Sequence, residues 1–242
     1  MRVGAAAVLC ACTAPLAAQT PGISDNSFLV EEAYNQNPRV VQHISTWQRS
    51  LRTGSWNFAF TQEWPVGSQL HQLSYNLLVG YAARTNLEFS GVGFNYRYQL
   101  TPADNRVAVA PRVSALVPRR GHVGVQVALP VSVEMGSQFV SHWNADVTVT
   151  PRTTTIYNLG GSVVWLAQPT FNLLYEVTWV SGPEGAVLLM NPGVRWAYNF
   201  ASGLQIVPGL AYTYGVGPSR GAQGAFVYLS FEHPFGGKSD PN

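Results

Sequence analysis

Eight charged side chains, Glu63, Arg97, Arg112, Glu134, Asp146, Glu176, Arg195 and Glu232, share one placement: each falls on the polar side of a stretch whose large apolar residues recur at every second position. Charges removed from bulk water are costly unless paired or hydrated. A mixed-sign set on one face can therefore tie neighbouring segments together, or line a wet path and bias what crosses it. A second constellation is His142, Asn144 and Asp146, at two-residue spacing on one face. A histidine beside an amide and a carboxylate can act as a base, but a nucleophile must come within hydrogen-bond reach, and spacing pairs no serine with His142. No catalytic residue is therefore assigned. His71, His122, His142 and His233 lack metal-ligand spacing, and Gly-X-Gly at 91–93 and 215–217 opens no helix, which a nucleotide site requires. No enzyme activity, metal or cofactor is expected.

The elements that must hold these groups are strands. From Val40 onward, twelve alternating segments are separated by clusters of Gly, Pro, Asn, Asp and Ser. In the second, Trp56, Phe58, Phe60 and Trp64 stand against Asn57, Ala59, Thr61 and Glu63. In the third, Leu73, Tyr75, Leu77, Val79 and Tyr81 oppose Gln72, Ser74 and Asn76. The fourth carries Phe94, Tyr96 and Tyr98 against Asn95 and Arg97; its first half is out of phase, which points to a bulge at Gly91 or Gly93. The tenth holds Val194, Trp196, Tyr198 and Phe200 against Arg195, Ala197 and Asn199. Pro111, Pro192 and Pro208 sit on apolar faces, where each removes a ladder donor and fits best near a strand end.

Two readings of the alternation compete. In a soluble sandwich the apolar face is the core; in an outer-membrane barrel it meets lipid and the polar face lines a lumen. Composition favours the barrel. Charged residues make up 11%, with thirteen arginines and the single lysine Lys238, too few for an ordinary soluble surface. Aromatic residues reach 12%, and Trp56, Trp64, Tyr81, Tyr98, Trp143, Trp165, Trp179, Trp196, Tyr198 and Tyr214 are placed as an interfacial set against lipid. Segments of roughly 10–13 residues are long enough to cross a bilayer when tilted. A net charge of +2 gives no field for nucleic acid. The expected fold is all-β, a transmembrane antiparallel up-and-down barrel of about twelve strands.

Residues 1–18 read as a secretory signal peptide: Met1-Arg2, an apolar run to Leu16, then Ala17-Ala18. The apolar core before Cys12 is too short for a lipoprotein signal, and both cysteines leave with the leader. Residues 19–39 form a periplasmic lead-in or a small plug segment, in which Ser27 to Gln36 is expected to make a short helix ended by Pro38. The barrel runs over 40–235, and 236–242 is a polar tail. With an even strand count and an inner N-terminus, turns near 65–68, 101–105, 135–137, 168–170 and 201–203 are periplasmic, and the loops at the other end are short.

The lead-in Asp25 to Ser45 (DNSFLVEEAYNQNPRVVQHIS) and the closing Tyr228 to Phe235 (YLSFEHPF) resemble the transporter-type outer-membrane β-barrels of the MetA-pathway of phenol degradation family. The resemblance, one of pattern rather than of a catalytic signature, spans essentially the mature chain. It implies a barrel passing small, often hydrophobic or aromatic, compounds. The leading expectation is thus a passive channel in a Gram-negative-type outer membrane. Its partners are outer-membrane lipid, a small-molecule solute and the barrel-assembly machinery, and its lumen-lining charges set selectivity. The alternatives are a structural or adhesive barrel with a closed lumen, and a barrel lipid hydrolase.

Overall fold

The computed structural model describes residues 23–82, 87–102, 105–183 and 185–235. The expected signal peptide, residues 19–22 and the polar tail lie outside these.

Alternation is realised as twelve strands. These are β1 (Val40–Ser50), β2 (Trp56–Val66), β3 (Ser68–Tyr81), β4 (Glu88–Tyr98), β5 (Val107–Val109 continuing as Arg112–Pro118) and β6 (Gly124–Glu134). They continue as β7 (Phe139–Val149), β8 (Ile156–Gln168), β9 (Phe171–Gly182), β10 (Gly185–Trp196 continuing as Tyr198–Asn199), β11 (Gln205–Gly215) and β12 (Gln223–Pro234). Each strand pairs antiparallel with the next, and β1 pairs with β12 from Val40 opposite Pro234 to Ser50 opposite Gly224. The sheet is a closed barrel, so no strand edge is left unpaired.

Two strands are interrupted without losing register. Pro111 has no N–H to give, yet Val109 faces Val131 and Arg112 faces Ala128, the same offset on both sides of the gap. In β10 the interruption is at Ala197, whose N–H goes to Thr170 O (2.9 Å). The expected bulge is present between β3 and β4: Leu78 opposes Gly91 but Val79 opposes Phe89, leaving Ser90 extra. A Cβ at Gly91 would lie 2.6 Å from Val117 O, so only glycine lets β5 approach there.

Outward positions are apolar and open; Trp143, Val127 and Phe94 are each more than half exposed. Inward positions are largely closed and many are polar: Gln42, Ser132, His142, Asn172, Glu176 and Ser230 have no exposed surface, beside buried Val164, Val207 and Phe226. A soluble sheet has the opposite arrangement. The polar side chains are buried because the lumen is filled, and what fills it is the segment that precedes β1.

Candidate functional site

Residues 23–37 enter the barrel at the turn between β8 and β9, where Ile23 N donates to Pro169 O (2.7 Å). The chain climbs beside β7–β10, turns over at 28–31, and descends beside β4–β6. It leaves through a tight turn in which Val40 N bonds Asn37 O (3.0 Å). Pro38 presets the second residue of that turn, and Arg39 adopts φ 63°, the left-handed conformation its third position requires.

The expected helix over Ser27 to Gln36 does not form; the segment is irregular throughout. Its N–H groups meet wall side chains instead of carbonyls four residues back. Phe28, Leu29 and Val30 all donate to Glu176 Oε1 (2.8, 2.8 and 3.1 Å). Glu31 N donates to Asn144 Oδ1, Ala33 N to Ser132 Oγ, Asn35 N to Gln99 Oε1 and Gln36 N to Gln72 Oε1. A buried backbone must find partners somewhere, and this barrel supplies them from its inner face.

Electrostatics fix the tip. Arg97 and Arg112 lie directly opposite one another on β4 and β5, a like-charge pair that opposes pairing unless neutralised. Glu31 enters between them. Arg112 Nη2 and Nε donate to its two carboxylate oxygens (2.6 and 3.0 Å), and Arg97 Nη1 is 4.0 Å away. Burial works to raise the Glu31 carboxyl, but the attraction and hydrogen bonds of Arg112, with Arg97 behind it, outweigh this and hold it below the usual carboxylate range. Arg97 also donates to Asn35 Oδ1 (2.9 Å), Glu32 O (3.1 Å) and Tyr34 O (2.6 Å). On the other limb, Arg195 donates to Asn26 O and stands 4.9 Å over the Tyr228 ring.

Of the other lumen candidates, Glu176 also accepts from Asn191 Nδ2 (2.6 Å). Asp146 accepts from Gln126 and Asn158, Glu232 from Gln42, and Glu63 from Gln72. Glu134 is exposed at the end of β6, where it borders a vestibule of about 310 Å3 beneath the segment. The structure thus brings Arg97 and Arg112 together on a residue of the segment, and leaves Glu134 at the rim. Glu31 escaped the sequence reading because it belongs to no alternating strand.

His142 does have a serine, which spacing missed. Ser132 faces it across β6–β7, with Oγ 2.7 Å from Nδ1, while Nε2 lies 2.9 Å from Asp25 O and 4.0 Å from Asp25 Oδ2. The set resembles a Ser-His-Asp relay in composition only. Ser132 Oγ accepts the Ala33 N–H (2.8 Å), and neither Ser132 nor His142 has exposed surface. The pair positions the segment. His43 and His233 meet across the closing β1–β12 seam, Nε2 to Nε2 at 3.3 Å, and His71 bonds Tyr96. Among the described residues no group of three metal-ligating side chains gathers.

Most of the ten aromatics expected at the lipid interface sit toward strand ends: Trp56 stacks on Tyr81 at one end (6.0 Å), and Trp165 on Phe139 at the other (6.2 Å). Trp143 does not. It lies within β7, over Gly161, where a Cβ would come 3.0 Å from the indole, and its N–H donates to Ser141 Oγ (3.2 Å).

The COG4313 outer membrane channel from Pseudomonas putida F1 superposes with a TM-score of 0.63 at 9% identity, over 84% of this chain and 98% of that one. The NanC porin gives 0.59 at 8% identity, over 80% and 100%. The KdgM porin gives 0.56 at 10%, over 81% and 99%. This chain has the fold of outer-membrane channel barrels. No family model and no curated protein matches it, so the narrower phenol-degradation resemblance rests on sequence pattern alone.

Proposed function

We propose that the protein is a passive outer-membrane channel for small solutes, held closed at rest by residues 23–37. One observation carries the reading: the like-charged pair Arg97–Arg112 is neutralised by Glu31, a residue outside the wall. A barrel built only as a structural cylinder has no need of a lumen whose charges are matched to a separate segment. The segment is held by side-chain contacts rather than by strand pairing, so it can leave without breaking the sheet. Above its tip lies a chamber of about 330 Å3, and below it the vestibule of about 310 Å3; both are sized for small molecules. The entering end is assigned to the periplasm and the strand exteriors to lipid. Glu63, Arg97, Arg112, Glu134, Asp146, Glu176, Arg195 and Glu232 act as the charges along the path, and passage of small apolar or aromatic compounds is the narrower form of the proposal.

The segment can be locked for a direct test. Ser27 Oγ and Ser162 Oγ are 2.6 Å apart, joining the segment to β8. Ser27→Cys with Ser162→Cys is expected to form a disulfide. In proteoliposomes the oxidised form should pass no more small solute than empty vesicles, and reduction should restore the wild-type rate. Uptake that ignores the lock would show that the segment is not the gate. Wild-type vesicles that pass nothing would favour the closed structural barrel instead.

A further inference from the structure

The chamber beyond the segment's tip is bordered by Phe28 to Glu32 on one side and by inward residues of β1–β6 on the other. Its chemistry follows from which bordering polar atoms are already satisfied. Arg97 and Arg112 direct their guanidinium groups at Asn35, Glu32 O, Tyr34 O and the Glu31 carboxylate. Asn95 gives its N–H groups to Ser74 Oγ (3.0 Å) and Asn76 Oδ1 (3.3 Å), and its oxygen accepts from Arg112. Gln126 donates to Asp146 and Thr148 and accepts from Arg112. Gln72 donates to Glu63 and accepts from Gln36.

Glu63 differs from all of these. Its Oε2 takes one hydrogen bond, from Gln72 Nε2 at 3.0 Å, and among the described residues its Oε1 takes none. Register places it beside Ser74 on β3, and one inward step along β2 is Thr61, opposite Asn76 and Ile44. The hydroxyls of Thr46 and Thr61 line the same wall, and Glu32 adds a second carboxylate from the segment. Ile44, Ala59, Leu29 and Leu116 supply an apolar patch within the same volume. An anion entering here meets guanidinium groups already bonded to protein. A cation meets a carboxylate oxygen with open lone pairs, flanked by hydroxyls, and a charge-assisted bond there is stronger than a neutral one.

We infer that this chamber is a binding site for a small organic cation, an ammonium group on a short apolar body. The ammonium donates to Glu63 Oε1 with Thr61 and Ser74 as further partners, and the apolar body lies against Ile44, Ala59 and Leu29. The inference deepens the channel reading and rests on it: with the segment in place, a cation reaching the chamber is held until the segment yields. Among the charges along the path, Glu63 is then the one that singles out a cation.

The test uses three four-carbon probes, n-butylammonium, 1-butanol and butanoate, with the full chain in an uncharged maltoside detergent, read by saturation-transfer NMR. Butylammonium is expected to bind at least about tenfold more tightly than butanol, and butanoate not at all. Glu63→Gln should abolish that preference, whereas Glu88→Gln, which breaks the exposed pair with Arg119 at 2.6 Å, should keep it. Equal binding of the three probes by the wild-type chain, or an undiminished preference in Glu63→Gln, would overturn the site. If Glu63→Gln does not assemble, the comparison of probes on the wild-type chain still decides. Flux through the reducible disulfide variant is read separately. Binding without flux removes the channel and keeps the site; flux without binding does the reverse.

Discussion

At the scale of residues, the chain shows why charge alone underdetermines a site. Arg97 and Arg112 announce themselves in the sequence as inward cations. Their partner sits in a stretch whose pattern reads as a lead-in, because register, which decides that the two guanidinium groups face each other, is not written in either strand alone. Glu31 gives the arrangement a pH signature. Its carboxyl is depressed from an ordinary value of 4.5 when docked between the arginines. Its contribution to docking is therefore complete above that ordinary value and disappears as pH falls through the lower, docked one. Hydrogen exchange of the amides of residues 28–36, corrected for the intrinsic rate, should stay protected from neutral pH down to that window and rise steeply inside it. Glu31→Gln should weaken protection already at neutral pH, by about 1.5–3 kcal/mol, the worth of hydrogen bonds to a charged group. A variant with the wild-type pH profile would remove Glu31 from the account.

At the scale of elements, period-two alternation made the strands legible, since a filled interior and an exposed apolar exterior impose opposite chemistry on adjacent residues. It also located the Gly91 bulge through the change of phase. Ser27 to Gln36 carries acceptable helix signals, but local preference yielded to tertiary partners: Glu176 offers three of its amides a charged acceptor that a helix's first turn lacks. The seat of this segment includes two wall glycines, which alternation alone treats as blanks. A Cβ on Gly209 would fall 2.6 Å from the Phe28 ring and 3.0 Å from Arg195 Cγ, touching side chains only. On Gly193 it would also meet Leu210 O at 2.8 Å, part of the wall itself. Gly209→Ala is therefore expected to loosen the segment by about 1–3 kcal/mol, the usual cost of overpacking, while the barrel keeps its heat-modifiable gel migration. Faster proteolysis within residues 23–37 of the folded barrel is the readout; unchanged cleavage would mean that Phe28 repacks freely.

At the scale of the whole molecule, the inside-out distribution is the decisive property, and it was visible in composition before any strand was placed. A chain of 242 residues with one lysine cannot coat itself for water, yet it buries a dense set of polar side chains inside the barrel, beside a smaller apolar cluster around Val207 and Phe226. The same logic assigns the tryptophans. Trp47, Trp56, Trp64, Trp143, Trp165, Trp179 and Trp196 all fall on positions alternate to the lumen residues Thr46, Ala59, Glu63, Asn144, Val164, Thr178 and Arg195 of their strands. All seven should therefore contact lipid or its interface. Reconstituted into vesicles whose acyl chains carry bromine at mid-depth, the protein should lose a measurable part of its tryptophan fluorescence relative to unbrominated vesicles. Trp143 has a particular place in this expectation. It lies well inside β7, with its N–H bonded to Ser141 instead of to interfacial water, so it belongs at the depth where quenching is strongest. Trp143→Phe should remove more of the quenchable emission than Trp56→Phe, because Trp56 opens β2 beside Tyr81 at a strand end. Equal losses would place Trp143 in the interface, and the absence of any quenching would reverse the assignment of the two faces.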